Sequence, residues 1–296
     1  MKKSILLWLI AFALTVITAV FQRVTGPTYP ISGETKIGNQ IIDYKLDRTH
    51  GGEGDHQIDI TVGENNVTGF LVWKRYKTND DWTNVELLRQ DEKLIAFLPH
   101  QPPAGKLIYH IILQKDDLIK KLPEDGEVII RFKGDVPLEF LIPHIIFIFG
   151  AMLLSTRTGL QYFSTKHEYL PTGQAGTPGE NESKKFKSLT ILTFIFVIIG
   201  GFIFGPIVQK YAFGEFWTGF PFGHDLTDNK ILLGFIGWLL ALISIYKFKH
   251  PKRWILFASI LMFIIFLIPH SLLGSELNYN ELDTGTNIQN KNITLE

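Results

Sequence analysis

The sequence predicts two structural classes in one chain. One is a membrane α-helical bundle of about five transmembrane helices; the other is an all-β sandwich domain of immunoglobulin or fibronectin type III character. Three observations lead there. The runs 5–21, 138–154, 189–208, 231–246 and 254–273 are almost free of charge, although the chain carries 29 basic and 29 acidic residues. Each run approaches the roughly 20 apolar residues that cross a bilayer, with flanking aromatics completing the shorter ones. Residues 26–137, by contrast, alternate apolar and polar side chains in short segments broken by turns, the period-2 pattern of strands. Finally, Lys and Arg gather in the connections that would share one side, including Lys247-Phe248-Lys249-His250-Pro251-Lys252-Arg253, as the positive-inside rule demands.

Composition narrows the chemistry. There is no cysteine, which removes disulfides, thiolate metal sites, iron–sulfur clusters and a cysteine nucleophile. A net charge of zero lacks the basic footprint of a nucleic-acid binder.

Residues 1–25 read as an N-terminal transmembrane anchor, with Lys2 and Lys3 held in the cytoplasm; a cleaved leader is the other reading. Residues 26–137 form the extracytoplasmic β domain, with strands expected at 41–46, 56–62, 67–76, 83–88, 94–98, 107–113 and 127–132. Pro102-Pro103-Ala104-Gly105 leads to Tyr109 in the manner of a tyrosine corner, so Tyr109 is expected to be buried and hydrogen-bonded. Residues 138–273 supply four more helices. The basic, Pro/Gly-rich connection 155–187 reads as a flexible cytoplasmic loop, and the Asn-rich segment 274–296 as a disordered outer tail.

The stretch 205–230 stands out. Gly205-Pro206 is expected to end the third span, since proline lacks the N–H that would continue it. Phe216, Trp217 and Phe220, spaced by glycines, suit a segment at the membrane boundary that packs on the outer helix ends. Asp225 and Asp228 are placed to cap the following helix. Gly201 and Gly205 form a G-x-x-x-G pair that permits close helix approach.

His144, His224 and His270 fall near the same outer boundary and are the candidate ligands for a metal ion or a b-type haem; capping and snorkelling are the competing structural roles. The run from His50 to His56 reads as an interstrand turn, with a cation loop as its alternative. No G-x-S-x-G, no H-E-x-x-H and no phosphate-binding glycine loop is present, nor are paired intramembrane carboxylates.

Gln101-Pro102-Pro103-Ala104-Gly105-Lys106-Leu107 and residues 216–230 resemble stretches of a group of bacterial multipass membrane proteins with no assigned activity. The resemblance implies a bacterial inner-membrane location. The expected function is therefore non-enzymatic: a protein that presents a periplasmic β-sandwich for assembly, scaffolding or sensing. Its partners would be the lipid bilayer and another envelope protein or a second copy, with no cofactor. A membrane redox or metal protein is the alternative, and a small-solute transporter the third.

Overall fold

The computed structural model describes residues 2–164, 180–272 and 274–284. It divides into a helical unit, residues 1–27, 136–210 and 215–274, and a β-rich unit, residues 28–135, 211–214 and 275–296.

The helices are α1 (Lys2–Thr25), α2 (Leu138–Ser164), α3 (Glu180–Ile198), a π-helical turn (Ile199–Phe204), α4 (Gly205–Phe213), α5 (Leu226–Lys247) and α6 (Pro251–Leu267), all in the helical unit except residues 211–213 of α4. Four stretches are long and apolar enough to span a membrane: Lys3–Thr25, Leu138–Phe163, Ser183–Phe213 and Leu226–Lys247. The expected five is thus four full-length spans plus α6, which has the composition but only 17 residues. Ala151, Met152, Val197, Trp238, Ala241, Ile255, Ala258 and Met262 form its core. While Ser259 of α6 donates to the Ser155 carbonyl of α2 at 2.8 Å, some buried hydroxyls bond within their own helix, Thr158 to the Leu154 carbonyl at 2.6 Å and Thr193 to that of Leu189 at 2.8 Å. Such back-bonding hides a polar group at little cost to the helix.

Two expectations about this unit are corrected. Gly205-Pro206 does not end the third span, which runs on to Phe213. The π-helical turn shifts the register so that the Gly205 N–H donates to the Gly200 carbonyl, five residues back. Pro206 then falls in the first turn of α4, where a missing N–H costs nothing. The aromatic loop is accordingly short, running from Gly214 to Asp225. Likewise, 155–164 and 180–187 are helical and belong to α2 and α3; residues 165–179 of that expected loop lie outside the described residues.

In the β-rich unit every strand read from the sequence is present: β2 (Gln40–Leu46), β4 (His56–Thr61), β5 (Thr68–Arg75), β6 (Thr83–Glu86), β8 (Lys93–Leu98), β9 (Lys106–Lys115) and β11 (Val128–Lys133). β1 (Ile31–Ile37), β3 (Thr49–Gly51), β7 (Leu88–Gln90) and β10 (Leu118–Leu122) accompany them. The sheets are β3-β11-β9-β5-β6 with β10 on β9, β4-β8-β7, and the hairpin β1-β2. Strand alternation is clean, with Ile58 and Ile60 buried between exposed Gln57 and Asp59. One core gathers residues from all three sheets, among them Ile37, Ile42, Ile60, Leu71, Leu98, Ile111 and Ile130.

Tyr109 is fully buried, and its hydroxyl donates to the Asp47 carbonyl at 2.8 Å. Burial and bond are as expected, but the partner lies 62 residues upstream, whereas a tyrosine corner closes a local turn. The bond ties β9 to the link between β2 and β3. Burial drives the phenol well above its ordinary pKa, with the Asp47 carboxylate adding to the effect, so it stays a donor at any physiological pH. Tyr109→Phe should cost about 0.5 to 1.5 kcal/mol, read as faster hydrogen exchange in β9 of the full chain. Unchanged exchange there would show that the bond adds nothing.

Candidate interaction site

In the helical unit, the first turn of α5 builds the loop before it. Asp225 is the N-cap, its Oδ1 accepting the Thr227 N–H at 2.7 Å, as expected of this residue type. Asp228 departs from its expected capping role and reaches back into the loop. Its Oδ2 accepts the backbone N–H groups of Thr218 at 2.6 Å and Gly219 at 3.0 Å, and the side-chain amide of Gln209 at 3.0 Å. The Thr218 hydroxyl lies between the two carboxylates, 3.1 Å from Asp225 and 3.3 Å from Asp228. The next loop N–H, that of Phe220, donates to Asn229 Oδ1 at 2.8 Å. Three successive loop amides are thus captured by two neighbouring side chains of one helix turn. Gly219 is required where this happens, because a Cβ there would lie 2.6 Å from that of Asp228.

The aromatic residues divide into two sets. Trp217 stacks on Phe202 at 5.7 Å between ring centres and donates from its indole to the Phe220 carbonyl at 3.0 Å. The Lys210 ammonium lies 5.5 Å from the Phe216 ring centre. Phe216, Phe220 and Phe222 remain 56%, 68% and 82% exposed, so of the expected packing residues only Trp217 is built in. The loop is ordered by a buried carboxylate and presents its phenylalanines outward.

Gly201 and Gly205 serve different neighbours, since the π-helical turn rotates one away from the other. A Cβ on Gly201 would meet the Ile231 side chain of α5 at 2.5 Å, while Gly205 lies against the Gly200 carbonyl and the His144 ring. That carbonyl also takes a bond from His144 Nδ1 at 2.9 Å. A carbonyl only accepts, so Nδ1 must carry the proton. His144 therefore reinforces the π-helical turn. His224 and His270 are exposed, and no group of three histidine, aspartate or glutamate side chains that could hold a metal exists among the described residues. His144, His224 and His270 thus make no such group of three. His50 and His56 are likewise engaged with one another, Nδ1 to Nδ1 at 3.2 Å, and His50 Nε2 with the Gly54 carbonyl at 3.1 Å.

The β-rich unit holds a feature that sequence reasoning missed. Residues 275–284, expected to be disordered, are folded onto the domain; residues 285–296 lie outside the described residues. Leu277 N–H donates to the Ala104 carbonyl at 3.1 Å. Tyr279 is buried, and its hydroxyl accepts the Lys106 N–H at 3.0 Å and lies 2.9 Å from Gln101 Oε1. Arg75 covers the Tyr279 ring and makes paired bonds to both Asp80 and Asp283, between 2.6 and 3.0 Å. Glu276 takes Lys77 at 2.9 Å and Lys106 at 3.4 Å. The segment thus docks on the Gln101-to-Lys106 stretch. A polar, Asn-rich sequence hid this because one tyrosine and a planar bidentate arginine supply the attachment, with no apolar run.

The titrations follow from the contacts. Burial raises the Tyr279 phenol to about 12 and lowers the Lys106 ammonium in spite of Glu276. Hydrogen bonds from Arg75 hold Asp80 and Asp283 below their ordinary 3.8, and Asp80 and Asp283 in turn raise Arg75.

No family model, no curated protein and no solved structure matches the chain.

Two outcomes are expected. Asp228→Ala leaves the amides of Thr218 and Gly219 without their acceptor, at about 1 to 3 kcal/mol for each donor that stays buried, and should expose 214–225 to proteolysis while α5 remains helical by circular dichroism. Because Asp80 and Asp283 are lowered in the folded state, their contribution is fully present above about pH 4 and lost as pH falls through the lowered values. Protection of 275–284 in hydrogen exchange, corrected for the intrinsic pH dependence, should hold from about pH 7 to 4 and fall below that. Arg75→Lys, which cannot make both paired contacts, should lose protection already at pH 7.

Proposed function

We propose that this chain is a non-enzymatic protein of the bacterial inner membrane that presents its β domain on the periplasmic side and works in assembly, scaffolding or sensing by docking another envelope protein or a second copy. The observation that carries the reading is the loop 214–225. A buried carboxylate holds its backbone, so the exposed Phe216, Phe220 and Phe222 are presented without the ordering cost that a floppy loop would incur on binding. Aromatic anchors on a preformed support are what interfaces use.

The orientation rests on charge. Lys3 lies in the first turn of α1, Lys184, Lys185 and Lys187 lie in the first turns of α3, and Lys247, Lys249, Lys252 and Arg253 surround the turn from α5 to α6. These sets flank one side of the helices they precede or follow, which favours that side as cytoplasmic.

An immunoglobulin or fibronectin type III type for the β domain is supported by strand order. With β4, β8 and β7 in the places of strands B, E and D, and β5, β9 and β11 in those of C, F and G, both sheets follow the immunoglobulin scheme. The metal alternative draws no support from a group of three ligating side chains among the described residues.

Incorporation of a benzophenone amino acid at Phe222, with illumination of intact cells, tests the docking role. A discrete protein adduct is expected, identifiable by mass, that disappears when Asp228→Ala unpins the loop. Adducts to lipid alone, or a protein adduct indifferent to Asp228→Ala, would refute it.

A further inference from the structure

We propose that Arg157, Lys185 and Ser4 form a binding site for a phosphate oxyanion at one end of the helical unit. Arg157 is fully buried in α2, inside a membrane-spanning stretch. A charge in that position is rare and marks function more often than architecture. Its partners are all neutral: Nη1 donates to Gln161 Oε1 at 2.9 Å, Nη2 reaches Ser4 Oγ at 3.5 Å, and the guanidinium lies 5.5 Å from the Trp8 ring centre. Nε has no hydrogen-bond partner among the described residues.

A second cation converges on the same point. Lys185 Nζ lies 3.4 Å from Ser4 Oγ, so one hydroxyl oxygen receives both a guanidinium and an ammonium. Among the described residues no carboxylate pairs with either. Two like charges drawn to one oxygen, in a setting of reduced dielectric, repel each other unless an anion is bound. The guanidinium edge with a free N–H, the ammonium and the hydroxyl are the donors that recognise a tetrahedral phosphate.

Depth supports a phosphate at the membrane surface. Ser4 is the second residue of the span Lys3–Thr25, Lys185 the third of Ser183–Phe213, and Arg157 lies two turns inside the end of Leu138–Phe163. Ser4 and Lys185 are partly exposed while Arg157 is fully buried. An anionic phospholipid headgroup would meet Lys185 and Ser4 first and orient its charge toward Arg157. Free phosphate offers the same oxygens, and the two sources differ in whether acyl chains are needed.

The test uses the full chain purified in a non-ionic detergent, with thermal unfolding and native mass spectrometry as readouts. Dioleoylphosphatidylglycerol should raise the midpoint and remain bound as discrete adducts, whereas dioleoylglycerol, which lacks the phosphate, should do neither. Inorganic phosphate matching the stabilisation without lipid would assign the site to the soluble ion. Lys185→Gln, at a partly exposed position that should still fold, is expected to weaken binding about tenfold, as removal of one charged hydrogen bond does. Arg157→Gln should abolish it in any fraction that folds. Equal stabilisation by both lipids, no response to any phosphate, or unchanged affinity in Lys185→Gln would overturn the proposal.

Discussion

Hydrocarbon offers no hydrogen bonds, so every polar group of a spanning segment must find its partner inside the protein, and most of the helical unit follows from that constraint. It explains why the third span does not stop at Pro206. Ending a helix there would strand carbonyls, and the π-helical turn with Gly205 and His144 both serving the Gly200 carbonyl resolves the same problem by register. The constraint also explains Lys230, a buried ammonium in α5 that donates to the Ile268 carbonyl at 3.1 Å and the Pro269 carbonyl at 3.4 Å. Those carbonyls close α6, where no further helical turn exists to receive them.

The loop before α5 applies the same rule to an irregular backbone. Amides with no strand or helix to join are given carboxylate and amide oxygens from Asp228 and Asn229, and Thr218 links the two aspartates. A network of that kind is stable only when every member is satisfied. Its result is a rigid support under exposed rings, which is why the same residues explain both the order of the loop and its suitability for docking. Among the described residues of the helical unit the rule is left incomplete at Ser155 Oγ, Thr190 Oγ1, Trp238 Nε1 and Arg157 Nε, and of these Arg157 carries the charge.

The β-rich unit is governed by alternation instead of polar satisfaction, and its attachments are correspondingly different. A single apolar core serves all its sheets, and the long-range bond from Tyr109 to Asp47 closes a part of the chain that alternation alone would leave loose. Residues 275–284 are held by Tyr279 and by one arginine shared between two carboxylates. That attachment depends on side-chain geometry and charge, so it responds to pH while the core does not.

What the sequence by itself determined was periodicity. The apolar runs placed the spans and the alternating segments placed β2, β4, β5, β6, β8, β9 and β11, because both patterns record which face of an element leaves water. Short or weakly patterned pieces such as β1 (ISGETKI) and β10 (LIKKL) escaped, since they take their place from pairing with a neighbour. Asp225 was legible as a cap because capping is local. Only the tertiary structure decided that Asp228 serves the loop, that His144 braces a π-helical turn, that Gly201 and Gly205 face different helices, and that Tyr279 fastens a polar tail. Each of those roles joins residues between 9 and 178 positions apart, and no local pattern encodes which distant donor will meet which acceptor.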